Sequence, residues 1–271
     1  MPELPEVQTI VDDIRKKITG KSIIDIFTAT RSIWRFKYPR KNNIVGIEIS
    51  GVGRKGKYIL IYLSNGRMLI IHLGMTGKLV TVPSGIKRDK HTHVVLRFEG
   101  FDIHYNDIRR FGFMDLANAE SPMDVSYLCK LGPDPLEMKR DEFIGLLKSK
   151  KRIIKPLLMD QNEISGLGNI YSDEALYKAR IHPRAISSRI GKRKLALLHD
   201  SMSKVLIDAI AKRGSSISNY VDGAGVQGTY QNSHMVYGKE GKPCERCGAK
   251  IKREIIGSRS AHYCPRCQRL N

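Results

Sequence analysis

Two groups of residues have the type and spacing for chemistry, one at each end of the sequence. Toward the C-terminal end, Cys244-x-x-Cys247 is followed by Cys264-x-x-Cys267. Two close thiolate pairs can close a tetrahedral Zn²⁺ site, and four thiolates leave no coordination position open, so the pattern reads as a structural metal centre. A redox dithiol is the competing use of Cys-x-x-Cys, but no strand–helix–strand pattern surrounds these pairs. At the other end stand Pro2, Glu3 and Glu6. Removal of Met1, which a small following residue favours, gives Pro2 a secondary α-amine; a pKa of about 8 leaves part of it nucleophilic at neutral pH. Such an amine can attack a sugar C1′ and form an iminium, an electron sink like a lysine Schiff base. Glu3 and Glu6 would be neighbours on a helix, one to move protons and one to hold geometry. The same residues also suit a plain helix start, where proline and acids are stabilising without catalysis.

A third segment, Ile164 to Glu174, holds Gly166 and Gly168 in a tight turn, Asn169 as an N-cap, and Asp173 and Glu174 near the first turn of the next helix. A helix–turn–helix of this kind aims backbone N–H groups at a phosphate, or is an ordinary helical hairpin. Three stretches are less specific. Gly53-Arg-Lys-Gly-Lys57 is basic, without the glycine spacing of a nucleotide phosphate loop. Residues 72–77 would place Met75 on a turn, and Asp107-Ile-Arg-Arg-Phe-Gly112 sets Phe111 beside two guanidiniums. An exposed wedge beside arginine could fill the space of a base removed from a duplex; either stretch could equally be core packing. His91, His93 and His104 read as packed or surface histidines by spacing alone, and Cys129 as a small buried hydrophobe.

The elements that must position these groups follow from periodicity. Leu4, Val7, Ile10, Val11, Ile14 and Ile18 predict an amphipathic helix over 4–18, with Gly20 beyond its end. From Ser22 to Leu116 the pattern turns to short strands, at Ile23–Ile26, Ile44–Ile49, Tyr58–Leu63, Met68–Leu73, His93–Phe98 and Asp102–Tyr105, with a hairpin turn at Ser64-Asn65-Gly66. That spacing predicts a sandwich or barrel. Trp34, Phe36 and Tyr38 alternate with Arg35 and Lys37 as a strand with one packed and one cationic face would. A linker is expected over 119–136, then helices over 140–149, 153–162, 169–179 and 191–213, a glycine-rich loop from Ser215 to Ser233, and a cysteine module over 237–271. That module holds nine Lys and Arg against three Asp and Glu, suiting a zinc-braced probe of phosphates.

Composition narrows the class. The 271 residues carry 47 Lys and Arg against 27 Asp and Glu, a net charge of +20, with 41% hydrophobic residues. Wholesale disorder and fibrous architectures are excluded. The charge points to a polyanion, most simply nucleic acid. No apolar run approaches the ~20 residues of a membrane span, and the first residues lack the basic-then-apolar layout of a secretion signal, so a cytosolic, reducing location and no membrane partner are expected.

Taken together, Pro2-Glu-Leu-Pro-Glu-Val7, Gly56-Lys57-Tyr58, the hexapeptide 72–77, Arg109-Arg-Phe-Gly112, Ile154-Lys-Pro156, Gly166–Tyr171, Val236-Tyr-Gly238 and the four cysteines resemble, in order and over nearly the whole chain, the bacterial formamidopyrimidine-DNA glycosylases. The resemblance implies an α+β protein: an N-terminal β-sandwich domain carrying the terminal helix (1–118), a linker (119–136), a helical domain with a helix–two-turns–helix motif (137–236) and a four-cysteine zinc finger (237–271), with DNA in a basic cleft. It implies a monomeric, cytoplasmic glycosylase and abasic-site lyase that removes 8-oxoguanine and formamidopyrimidines from double-stranded DNA, with one structural zinc. By matched position Pro2 is the nucleophile, Glu3 the general acid/base, Glu6 a supporting group, and Lys57 both a phosphate contact and important to activity. His72, His91, Asn169, Tyr237 and Arg259 would touch DNA, Lys155 would serve oxidised-guanine substrates, and Met75, Arg109 and Phe111 would fill the void, Arg109 facing the orphaned cytosine. The loop after residue 215 matches the segment that caps the extruded lesion. Gln8 departs from a common Glu. The sister endonuclease VIII family usually begins Pro-Glu-Gly-Pro-Glu, and Leu4 stands here in place of that glycine. A non-enzymatic nucleic-acid binder with the same basic surface is the rival of a different class.

Overall fold

The structure, a computed structural model, describes residues 1–35, 43–119, 125–217 and 220–270. It divides into two compact units, Met1–Cys129 with Lys212–Gln231, and Lys130–Ala211 with Asn232–Asn271. The partition expected from sequence runs linearly along the chain; the contacts instead group the loop after residue 211 with the first unit. The cause is a set of hydrogen bonds to the terminal helix and to one strand. Ser215 N–H donates to Glu6 Oε1, Gly223 N–H to Asp13 Oδ2, and Thr81 N–H to the Gly223 carbonyl.

In the first unit, helix α1 (Leu4–Ile18) precedes strands β1 (Asp25–Thr28), β2 (Ile49–Lys55), β3 (Tyr58–Leu63), β4 (Arg67–His72), β5 (Gly77–Pro83), β6 (Thr92–Phe98), β7 (Phe101–Asp107) and β8 (Phe113–Asn118), and then a short helix, α2 (Ser126–Cys129). The strands form two four-stranded antiparallel sheets in the orders β1-β6-β7-β5 and β2-β3-β4-β8. Period-two alternation selects the core face. Ile59, Ile61 and Leu63 of β3 and Leu69 and Ile71 of β4 meet Val94, Leu96 and Phe98 of β6 and Ile103 and Tyr105 of β7 in one cluster. Helix α1 adds Val7, Ile10, Val11, Ile14 and Ile18 to the same core, so burying one face of α1 fixes where the chain terminus lies.

Several strands differ from expectation. The run Ile44–Ile49 is turns and single bridges, and the strand proper is Ile49–Lys55, whose Gly51 and Gly53 hide its β character. It is held by pairing with β3 from Ile49↔Leu63 to Lys55↔Tyr58, which makes the basic segment 53–57 a strand end and hairpin turn. β5 did not stand out because its alternation begins inside the 72–77 turn. Trp34 makes one bridge, to Met114; Phe36, Lys37 and Tyr38 lie outside the described residues, as does part of the expected linker.

The second unit contains α3 (Arg140–Ser149), α4 (Ile154–Leu158), α5 (Asn169–Lys178), α6 (Lys192–Ala211) and the hairpin β9 (Lys252–Ile256) with β10 (Arg259–Tyr263). α4 stops four residues short of expectation because the Gln161 amide takes over the turn: it donates to the Met159 and Leu167 carbonyls and accepts from Gly166 N–H. α5 is buried on all sides from Ile170 to Glu174 and on to Tyr177, the mark of a central helix. No helix among the described residues is long and apolar enough to cross a membrane.

Candidate active site

In the first unit the site is built on the start of α1. Glu3 stands at the N-cap and Glu6 three residues on, a capping-box pair in which Glu6 Oε2 accepts the Glu3 N–H at 2.8 Å. Both carboxylates are almost fully buried, 3% and 1% exposed, and Pro2 is buried beside them. The second Glu6 oxygen accepts Ser215 N–H at 2.8 Å, and the Tyr220 hydroxyl donates to the Glu6 carbonyl. One carboxylate therefore fastens the terminus to the 215–231 loop. The helix-start bond and the tie to the loop thus use the two oxygens of one carboxylate. That loop is further tied by Arg213, which bridges Asp13 and Asp222.

Lys57, also buried, sits at the β2–β3 turn, with His72 at the end of β4. Burial first, then Lys57 and Arg35, push the His72 imidazole down to about 4, so it is neutral at pH 7. Its Nδ1 accepts Gly74 N–H at 3.3 Å, which leaves the proton on Nε2. A neutral donor among cations is arranged for an anion. Arg35 is a member of this group that spacing did not reveal; its guanidinium lies 4.5 Å from the Phe113 ring centroid.

Met75, Arg109 and Phe111 are exposed on two adjoining turns. Arg109 lies over the Phe111 ring at 4.4 Å. The organiser is Asp107, which accepts the Thr76 hydroxyl and Arg109 N–H on Oδ1 and Gly112 N–H on Oδ2. The turns meet backbone to backbone: a Cβ on Gly74, at φ +57°, would fall 2.4 Å from Gly112 N. His91 lies just before β6, its N–H held by Asp89. His93 is packed between Thr30 and the Asp107 carbonyl, and His104 is buried beside Asp102. Cys129 is half-buried.

In the second unit the expected residues gather around α5. Gly168, not Asn169, is the N-cap. Asn169 instead directs its amide to Ser260 Oγ at 3.3 Å, and its Oδ1 is buried without a partner. Asp173 and Glu174 lie deeper in the helix than expected and are fully committed. Asp173 Oδ1 accepts Lys155 Nζ at 2.6 Å, and its Oδ2 accepts His262 N–H. Glu174 accepts the backbone N–H groups of Met235, Val236 and Tyr237; burial raises its pKa despite these bonds. Lys155 is 0% exposed and also donates to the Ser260 carbonyl, next to exposed Arg259 at the start of β10. Tyr237 stands edge-on to His262. The buried ion pair and the Glu174 turn were invisible in sequence because their partners are 18 to 105 residues apart.

The four cysteine Sγ atoms lie within 4.8 Å of one another, with Cys247–Cys264 at 3.5 Å and Cys244–Cys267 at 3.9 Å. A tetrahedron of thiolates about 2.3 Å from Zn²⁺ has edges of about 3.8 Å, so the donor set fits one structural zinc. Tyr177 Oη lies 3.3 Å from Cys244 Sγ, giving the cluster an outer contact.

The models of three domains match the chain in order: the formamidopyrimidine-DNA glycosylase N-terminal domain at residues 1–114, its H2TH domain at 131–221, and the zinc finger found in FPG and IleRS at 241–270. A formamidopyrimidine-DNA glycosylase of Solibacter usitatus is 42% identical over 99% of this chain and all of its own, and one of Pelotomaculum thermopropionicum is 39% identical over the full length of both. A Lactococcus lactis FPG mutant solved with a Fapy-dG containing DNA superposes with a TM-score of 0.93 at 35% identity, covering 99% of this chain and 100% of that one. The Lactococcus lactis Fpg solved with abasic-site DNA gives 0.92 at 35% identity over 98% and 99%. Domain order, full-length identity and a closed cluster of four cysteines agree: this chain belongs to the formamidopyrimidine-DNA glycosylase family.

Proposed function

We propose that this protein is a base-excision repair enzyme, a DNA glycosylase with abasic-site lyase activity, that removes 8-oxoguanine and formamidopyrimidines from double-stranded DNA through its Pro2 nitrogen. Relatives named for this activity match end to end, and solved neighbours hold Fapy-dG, carbocyclic 8-oxo-G or abasic-site DNA. The observation that carries the catalytic reading is the buried Glu3–Glu6 pair clamping the backbone beside Pro2.

With Met1 removed, the Pro2 nitrogen attacks C1′, the C1′–N9 bond breaks, and the oxidised base departs after taking up a proton. Glu3 protonates O4′ as the C1′–O4′ bond opens, giving an iminium between Pro2 and C1′. The iminium acidifies C2′–H; loss of that proton expels the 3′ phosphate, and a second elimination expels the 5′ phosphate. Glu6 is a positioning group. Lys57 and the Nε2–H of neutral His72 hold a phosphate, and Asn169, Arg259, Tyr237 and His91 contact DNA elsewhere. Met75, Arg109 and Phe111 replace the flipped nucleotide, offsetting an unstacking penalty of a few kcal/mol. Buried Lys155 serves DNA through Ser260 and Arg259 instead of touching it. Zinc braces the finger. A chromosomal DNA substrate supports a cytoplasmic location at the nucleoid, with the protein acting as a monomer.

Borohydride reduction in the presence of an 8-oxoguanine·C duplex tests the reading. The mature protein should form a stable covalent adduct, more readily than with a thymine-glycol duplex. Protein with a residue retained or added ahead of Pro2 should form none. Undiminished base release by the blocked protein would refute the assignment of the nucleophile.

A further inference from the structure

Residues of the join between α5 and α6 (181–191) and of the first turn of α6 line a cavity of about 480 Å³ together with Arg269 and Leu270. Its rim carries Arg184, Arg189, Arg193, Lys194 and Arg269, and none of its lining residues is acidic. Arg184 is engaged by Glu254 at 2.9 Å. The other four are in no ion pair among the described residues. The floor is formed by Ile181, Ile186 and Ile190 with the buried His182 beside them, and Leu270, also in the lining, is 56% exposed. The start of α6 breaks a local rule. Lys192, Arg193 and Lys194 crowd the positive end of a 20-residue helix, whose first turn holds no acid. That end of a helix favours anions, and cations there oppose its dipole. A departure from local preference with no compensating partner among the described residues is expected where a ligand supplies the compensation.

We propose that this cavity docks an acidic peptide segment of a partner protein, with one large apolar side chain on the isoleucine floor and flanking carboxylates on the rim. Carboxylates match the arginine forks and the helix end. An apolar anchor in a recess ringed by charge is the usual layout of a peptide hot spot. Duplex DNA fits this cavity poorly, because its phosphates present charge along a ridge and nothing apolar to fill a recess. Single-stranded nucleic acid is gripped by exposed aromatic platforms, whereas the His182 ring in this lining is 8% exposed and packed edge-on against Tyr263. The proposal rests on the second unit alone and is independent of the reaction at Pro2.

Fluorescence anisotropy of the zinc-loaded full chain with a labelled Asp-Glu-Asp-Asp-Leu-Phe peptide, at ~0.1 M salt, tests it. Saturable binding is expected, weakened at least tenfold by the double variant Arg189→Glu/Arg193→Glu and severalfold by Leu270→Ser. Replacing the peptide's Leu and Phe by Ser should weaken binding at least tenfold. Affinity for an undamaged duplex should change less than twofold in Leu270→Ser, and by a smaller factor than the peptide in the double variant. Absence of saturable binding, indifference to either protein variant, or retention of the Ser-substituted peptide would each overturn the proposal. An equal loss of duplex affinity in the double variant would also overturn it and make the rim a phosphate track.

Discussion

At the scale of single residues, the site is governed by what burial does to charge. His72 is held down to about 4, by burial first and then by Lys57 and Arg35. The unfolded chain takes up this proton near pH 6.5 and the folded chain only near 4. Stability contributed at neutral pH is therefore lost as pH falls through that window, with a slope of up to about 1.4 kcal/mol per pH unit. Urea midpoints compared between pH 7.5 and pH 4.5 should fall less in His72→Gln than in the parent, and the parent's ring should titrate below pH 5 by NMR. A midpoint near 6.5 would mean that neither burial nor the neighbouring cations hold the ring down. Lys155 poses the opposite case, a charge kept because it is paired with Asp173 at zero exposure. Lys155→Met should cost about 3–5 kcal/mol by stranding the carboxylate. Pairing it with Asp173→Asn should recover part of that loss, measurable as a double-mutant coupling. Additive losses would remove the pair from the account.

Elements act here by closing short distances between turns. The exposed trio depends on two loops pinned by Asp107, and on glycines where the backbones meet. A Cβ on Gly112 would lie 2.1 Å from the Tyr105 hydroxyl and 2.5 Å from the His72 carbonyl. Gly112→Ala must push the 72–77 and 108–112 turns apart, disturbing His72 together with Met75 and Phe111. The expected result is at least a tenfold fall in excision from duplex, while borohydride trapping on a preformed single-stranded abasic site, which needs no wedge, declines much less. Equal losses on both substrates would place the damage at Pro2 instead. On α5 the same economy appears. Glu174 satisfies three N–H groups of the 235–237 turn with one carboxylate, so the position of Tyr237 is set by a buried residue 63 positions away.

For the whole molecule, charge and metal decide binding. A net charge of +20 is self-repelling until phosphates neutralise it. The finger is too small to build a core of its own, holding Val236, Cys244, Ile251 and Cys264 in a minor cluster with Tyr177, so the metal supplies its folding energy. Stripping zinc should disorder β9 and β10 and release the Ser260 carbonyl from Lys155. Duplex affinity should then fall at least tenfold while far-UV helix content is retained. Unchanged affinity in protein shown to be metal-free would separate the finger from DNA binding.

The sequence by itself determined the metal centre, the helix at the terminus, the alternation that makes a sandwich, and the family, because each is written in local spacing or in a motif order that composition cannot mimic. It also marked, by matched position, the residues proposed to contact DNA. Only the tertiary structure decided what those residues do to one another. Asp107, Asp173 and Glu174 stand in the sequence without their partners: Asp107 joins Thr76 to its near neighbours Arg109 and Gly112, and Asp173 and Glu174 gather groups 18 to 89 residues away, in a medium where an unpaired charge is costly. Arg35 beside His72, the α4 stop made by Gln161, and the join of the 215–231 loop to α1 belong to the same class. Local pattern records which side chains must be buried; which buried polar groups satisfy each other is settled only when the chain has closed around them.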